Sequence, residues 1–227
     1  MATNLDQQIT TPAQPNLGAP QSWYDERFFA QSFGGLNVYF NKLTAIFSAL
    51  FGRRGGKWIN NPYGAFQDTT DQTATANTAT VMTFNTTDFS NGVSVVTSGG
   101  KASRLTVAQA GIYNLQFSAQ FENSDTQEHD ASIWLRQDAS GAGIDIAGST
   151  GFVGIPSKHG GINGHIIAGW NYFVTLDAND FVEIWWSTPS TQVTIQAYAA
   201  GTSPTRPTTA SVVATLSFVS NLSTETA

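Results

Sequence analysis

Cysteine is absent from the 227 residues, which removes disulfides, thiolate metal centres and thiol nucleophiles together. Charge is scarce as well: 11% of residues are charged, against about 25% in an average soluble chain. The 10 Lys+Arg are outnumbered by 16 Asp+Glu, a formal net charge of −6. So few cations cannot neutralise a run of phosphates, and nucleic acid is not an expected partner. The first residues show no basic segment leading into an apolar one, which predicts synthesis in a cytoplasm without a secretory signal. The longest apolar-looking stretch, 28–51, is broken by Gln31, Asn37, Asn41 and Lys42 and is no membrane span. Histidine occurs three times, at His129, His159 and His165. No Gly-x-Ser-x-Gly, phosphate-loop or His-Glu-x-x-His pattern is present. The expectation is a protein without catalysis, resident metal or cofactor.

What the chain does contain is apolar and aromatic material, 41% and 12% of it, in three regions of different character. Residues 1–24 carry Pro12, Pro15 and Pro20 with few apolar anchors, so they form no core of their own. They read as an extended arm that docks on another protein, with Trp23 and Tyr24 as anchors. From 25 to 52 the period is helical. Phe29, Phe33, Leu36, Phe40, Leu43, Phe47 and Leu50 recur in alternating steps of four and three, a heptad seam. Asp25 and Glu26 precede it and Arg53 and Arg54 follow it, as the helix dipole favours. At about 1.5 Å per residue the seam is roughly 30 Å long. Gly34 and Gly35 each cost about 1 kcal/mol relative to alanine and mark a potential kink. So short a coiled coil is marginal alone, so a bundle of chains needs the next domain to hold it together. A Gly-rich hinge spans 53–62.

From 63 to 220 the period is two. In Gly111–Phe121, Tyr113, Leu115, Phe117, Ala119 and Phe121 alternate with Asn114, Gln116, Ser118 and Gln120, a half-buried antiparallel strand. Further strands read as 81–84, 93–97, 104–107, 132–137, 165–176, 181–187, 192–198 and 211–219. Asn91-Gly92, Ser98-Gly99-Gly100, Gly141–Gly143 and Ala178-Asn179-Asp180 supply the turns. The fold class is therefore mainly β, an antiparallel jelly-roll β-sandwich preceded by an arm and one amphipathic coiled-coil helix, with 221–227 as a tail. Two strands are apolar on both faces: Phe181 and Trp185 oppose Val182, Ile184 and Trp186, and Val213 and Val219 oppose Val212, Ala214, Leu216 and Phe218. A second apolar face predicts another layer or another subunit.

Gly111-Ile112-Tyr113-Asn114-Leu115-Gln116-Phe117 resembles the Gly-Ile-Tyr-x-Phe-x-Phe strand of the trimeric jelly rolls of complement and tumour-necrosis-factor type. The stretch Leu176-Asp177-Ala178-Asn179-Asp180-Phe181-Val182 resembles their turn between late strands, with Asn179 in place of the usual glycine, which asparagine tolerates. Pro62–Ala74, Phe84–Asp88, Ser157–Gly161 and Thr202-Ser203-Pro204 are similar to phrases of tailed-bacteriophage virion proteins. Tyr24–Phe28 with Tyr39–Leu43 is similar to attachment stretches of phage fibres. The resemblance covers about residues 24–219. It implies a homotrimer located on a virion, attached to other virion proteins through its arm, with a jelly-roll knob projecting as a fibre, head decoration or host-binding tail fibre.

Candidate binding residues are few. His159, Asn163 and His165 lie around Gly160-Gly161 and read as distal loops for a host receptor or glycan rather than as a metal site, which needs several converging ligands. Asp125, Glu128 and Asp130 suit a solvated hairpin tip better than a calcium site. Trp134, Trp170, Trp185 and Trp186 raise sugar stacking as an alternative to core packing and subunit contact. Arg53, Arg54 and Lys57 read as a solvated helix end.

Overall fold

The computed structural model describes residues 13–16, 23, 25–51, 61–138 and 143–220. The chain divides into two units, 1–60 and 61–227. In the first unit the helix α1 (Glu26–Phe51) starts where Asp25 acts as a cap. Its Oδ1 accepts from the backbone N–H of Arg27 at 2.8 Å and of Phe28 at 3.3 Å, satisfying donors that a helix N-terminus leaves orphaned. The helix runs through Gly34 and Gly35 without a break. A Cβ on Gly35 would stand 3.8 Å from Pro15 Cβ, an ordinary contact distance, so this part of the arm lies against its own helix. Hinge residues 53–60, with Arg53, Arg54 and Lys57, lie outside the described residues, as do Tyr24 and the tail; 61–62 belong to the second unit, where the Pro62 carbonyl accepts from the Phe218 N–H at 2.9 Å.

The second unit holds the strands β1 (Tyr63–Asp68), β2 (Gln72–Thr73), β3 (Thr80–Val81), β4 (Thr86–Asn91), β5 (Val93–Ser98), β6 (Lys101–Val107), β7 (Gly111–Asn123) and β8 (His129–Gln137). They are followed by β9 (Ile144–Asp145), β10 (Gly151–Ile155), β11 (Gly164–Leu176), β12 (Phe181–Ser187), β13 (Val193–Ile195), β14 (Gly201–Thr202), β15 (Thr205–Arg206) and β16 (Val212–Ser220). One sheet runs β4-β1-β16-β7-β11. There β7 pairs along its full length with β11 on one edge, and on the other with β16 and, at its end, β13. The other sheet runs β10-β8-β12-β6-β5. All of these pairings are antiparallel. The chain crosses between the sheets repeatedly after β6, which is the winding of a jelly roll.

The alternation read in β7 is the alternation observed. Tyr113, Leu115, Phe117, Ala119 and Phe121 are buried and meet Val182, Ile184 and Trp186 of β12 and Ala131, Ile133 and Leu135 of β8 in one core cluster. Phe121 lies edge-on to Trp186 at 5.6 Å between ring centroids. Turn chemistry follows the sequence as well: Gly99 and Gly100 both take positive φ in the β5–β6 hairpin, and Asn179 takes φ 72°. The Asn179 N–H donates to the Val107 carbonyl at 2.8 Å, tying the turn to the neighbouring strand.

Other expectations need correction. Only Val81 of the 81–84 segment is in a strand. Met82 and Phe84 are buried and donate irregularly, to the Ile184 and Ala102 carbonyls, so burial without ladder pairing mimicked a strand. The 192–198 segment pairs regularly only at Val193–Ile195. Strands β1, β4 and β10 have little apolar alternation: β1 buries Gly64, Ala65 and Phe66 in succession, β4 leaves Thr87–Ser90 exposed and β10 buries only Ile155, so the sequence pattern does not mark them as strands. The outward face of β12 is covered partly by the chain itself: the Arg104 guanidinium stands 3.8 Å over Phe181 and that of Arg136 stands 4.2 Å over Trp185. That row therefore does not require a subunit to cover it.

Candidate functional site

Two of the three loop residues singled out from the sequence come together. Asn163, at the end of the loop entering β11, donates from Nδ2 to Glu122 Oε1 at 2.8 Å. Tyr198 places its hydroxyl 2.8 Å from Glu122 Oε2 and 3.0 Å from Nδ1 of His165. A carboxylate only accepts, so the phenol proton goes to Glu122, and the tautomer that completes the chain carries hydrogen on His165 Nδ1. Burial, and next the hydrogen bond and charge of Glu122, push the Tyr198 phenol well above its ordinary range, with Asp71 adding a smaller push in the same direction. The phenol is thus a permanent donor at neutral pH, and the result is a fixed polar cluster at one end of the first sheet.

His159 is elsewhere. Its backbone exchanges hydrogen bonds with Ile162 at 2.9 and 3.0 Å across Gly160 and Gly161, both at positive φ, so it sits in an exposed tight turn. Sequence reading missed Glu122 and Tyr198. Glu122 continues the outward row of β7 by one step, which was a usable signal, whereas Tyr198 lies 76 residues away and only the fold brings it in.

The acidic tip is held by pairing. His129 Nε2 lies 2.8 Å from Asp125 Oδ2, and hydrogen bonding to His129 draws the Asp125 carboxyl below its usual range. Among the described residues no group of three or more His, Asp or Glu is arranged to hold a metal ion.

The four tryptophans separate by environment. Trp186 is fully buried. Trp170 crosses from the first sheet towards the second and stacks on Phe117, with centroids 5.5 Å apart and planes 17° apart. Trp134 and Trp185 sit opposite each other on neighbouring strands, on the outward face of the second sheet, with centroids 6.4 Å apart and planes inclined by 27°. Asp145 accepts from Trp134 Nε1 at 3.1 Å and from Arg136 Nε at 2.8 Å. The Arg136 bond leads the causes that hold the Asp145 carboxyl below its ordinary range. Glu183, 4% exposed, accepts from Trp185 Nε1, Arg104 Nε and Ser103 Oγ at 3.0, 3.3 and 2.9 Å.

Two further surfaces are apolar. On the outward face of the first sheet, Ile167 and Phe173 of β11 and Val213 and Val219 of β16 are exposed around the amides and hydroxyls of Asn114, Gln116 and Ser118. At its edge Tyr63 and Phe89 are exposed and pair at 6.0 Å. Within the first unit, the seam residues Phe29, Phe33, Phe40 and Phe47 are 41–66% exposed, and Leu36 and Leu43 are half-buried. The Leu50 side chain lies outside the described residues. Trp23 is exposed.

No protein-family model matches this chain, and no curated protein matches it. Among solved structures, the globular domain of zebrafish complement 1qA protein is similar at 10% sequence identity and TM-score 0.42, over 71% of this chain and 99% of that one. At that distance the likeness bears no functional weight, and the fold assignment rests on the strand order.

Proposed function

We propose that the chain is a non-enzymatic virion structural protein, a homotrimeric fibre or knob on a bacteriophage particle. The helix bundles three copies, the jelly roll projects, and residues 1–24 attach the trimer to other virion proteins. The observation that carries self-association is the seam. Within the first unit, Phe33 and Phe40 of the seam are 66% and 57% exposed, and a heptad row of large apolar residues is the pattern that like helices bury against one another. The exposed Ile167, Phe173, Val213 and Val219 give the β unit a contact face of its own, interspersed with amides that hydrogen-bond across an interface. The number three and the virion setting are supported by the sequence resemblances alone.

Mass spectrometry and labelling of purified particles test the virion role: the chain is expected in stoichiometric amount on the particle surface. Deleting residues 1–24 is expected to leave a folded oligomer that no longer joins particles. Absence of the chain from purified particles would refute the proposal. A host-binding adhesin is the second reading, favoured by the convergence of Asn163 and His165 on Glu122 beside an exposed turn. Substituting His159 and Asn163 should then reduce adsorption of otherwise intact particles, and unchanged adsorption would leave the structural role alone.

A further inference from the structure

We infer that the outward face of the second sheet is a binding platform for neutral oligosaccharides, centred on Trp134 and Phe152, with Trp185 as its base. The inference uses the single chain only, so it stands or falls apart from trimer formation and from virion location.

Both indoles are locked. Each Nε1–H is already given to a carboxylate, Asp145 or Glu183, and the Arg136 guanidinium lies over the Trp185 ring. Glu183 is itself almost wholly buried and held by three donors, so the base of the platform is rigid before anything binds. Preorganisation of this kind lowers the ordering cost of association. One row along, Ser132 and Ser187 face each other across the same two strands. Beyond Ser132 its partner Phe152 is 75% exposed, which adds a third aromatic surface.

Charge selects the ligand class. Around the indoles each of two arginines is bonded to one carboxylate, and beyond Ser132 on the same face Asp130 and Glu128 lie beside Gly154, so the platform presents alternating donors and acceptors with no surplus of positive charge. An anionic glycan or phosphorylated ligand would find no spare cation. An apolar protein surface laid over the platform would strip water from the Arg136–Asp145 pair, whose side chains are 28% and 55% exposed, and return no hydrogen bonds. Because Arg136 already covers the Trp185 ring, a pyranose lays its C–H face on the half-buried Trp134 or on the exposed Phe152, while its hydroxyls exchange with water at Arg136, Asp145, Ser132 and Ser187. The outward face of the first sheet differs in the relevant way, because its exposed groups are mainly aliphatic and suit a protein contact.

The test titrates the full chain with neutral hexasaccharides of glucan, mannan and galactan type, and with alginate hexasaccharide as the anionic arm, followed by calorimetry and tryptophan fluorescence. At least one neutral series should bind, with affinity insensitive to salt. Trp134→Ala should weaken it by about tenfold or more, the equivalent of about 1.4 kcal/mol. Phe152→Ala, at an exposed site outside the indole cluster, should weaken it several-fold with the native circular dichroism retained, which guards against misfolding of the tryptophan variant. The inference is overturned if no neutral series binds in the millimolar range. It is equally overturned if binding survives both substitutions, or if only alginate binds and salt abolishes it.

Discussion

Gly151 is where the two sheets close against each other at one edge, and adding a single methyl there should be costly. A Cβ at Gly151 would fall within overlap of Trp170 Cζ2 and stand 2.8 and 2.9 Å from Cε2 and Cη2. The indole has little freedom to retreat, because its other face is stacked on Phe117 at 5.5 Å. Overpacking of this kind costs about 1–3 kcal/mol, and loosening the aromatic pair adds about 0.5–1.5 kcal/mol. Gly151→Ala should therefore destabilise the β unit by about 2–4 kcal/mol. For a unit of this size that corresponds to a fall in Tm of roughly 4–16 °C. The assay is urea unfolding followed by tryptophan fluorescence, in the native background and in Trp170→Leu. With the ring removed, the same methyl should cost less than about 0.5 kcal/mol, because the two residues are coupled through direct contact. An equal loss in both backgrounds would refute the reasoning, since the clash would then lie elsewhere.

Asn179 holds a left-handed conformation, φ 72°, so Asn179→Gly should change stability by less than about 0.5 kcal/mol. Asn179→Val should lose about 1–2 kcal/mol in the same unfolding assay. Alkaline titration probes the Glu122 cluster. Burial raises the phenols of Tyr113 and Tyr198, and Glu122 raises Tyr198 further. The unfolded chain releases these protons near pH ~10, whereas the folded chain keeps them. Stability from both phenols is therefore complete below pH ~10 and falls as pH climbs beyond it. Tyr198→Phe should accordingly flatten that fall. It should remove almost none of the phenolate absorbance that the folded protein develops near pH ~10.5, whereas a loss equal to one tyrosine in six would contradict the assignment.

How legible the fold was in the sequence depended on how each strand solves its burial problem. Strand β7 buries every second residue and accepts pairing on both edges, so period-two alternation was visible in full. Strand β4 sits at a sheet edge with four consecutive exposed residues, Thr87–Ser90, and nothing in its composition forces a strand. Met82 and Phe84 misled in the opposite sense, being core residues on an irregular path. The candidate sites divided the same way. Asn163 and His165 are close in sequence and sit beside a glycine turn, so their loop was visible. Glu122 and Tyr198 complete it only because β7 and the end of the β13 segment run side by side. The tryptophans were visible as residue types, but which face each takes depends on sheet register. Pairing of Trp185 with Trp134 across β12 and β8 is fixed by long-range topology that local patterns do not encode.

The account turns on whether copies of this chain cover one another's exposed phenylalanines. Sedimentation velocity of the full chain at micromolar concentration measures that directly. The predicted result is a dominant boundary at three times the 24.3 kDa chain mass, shifted to smaller species by replacing Phe33 and Phe40 together with asparagine. A single boundary at one chain mass, with those phenylalanines still in place, would contradict it.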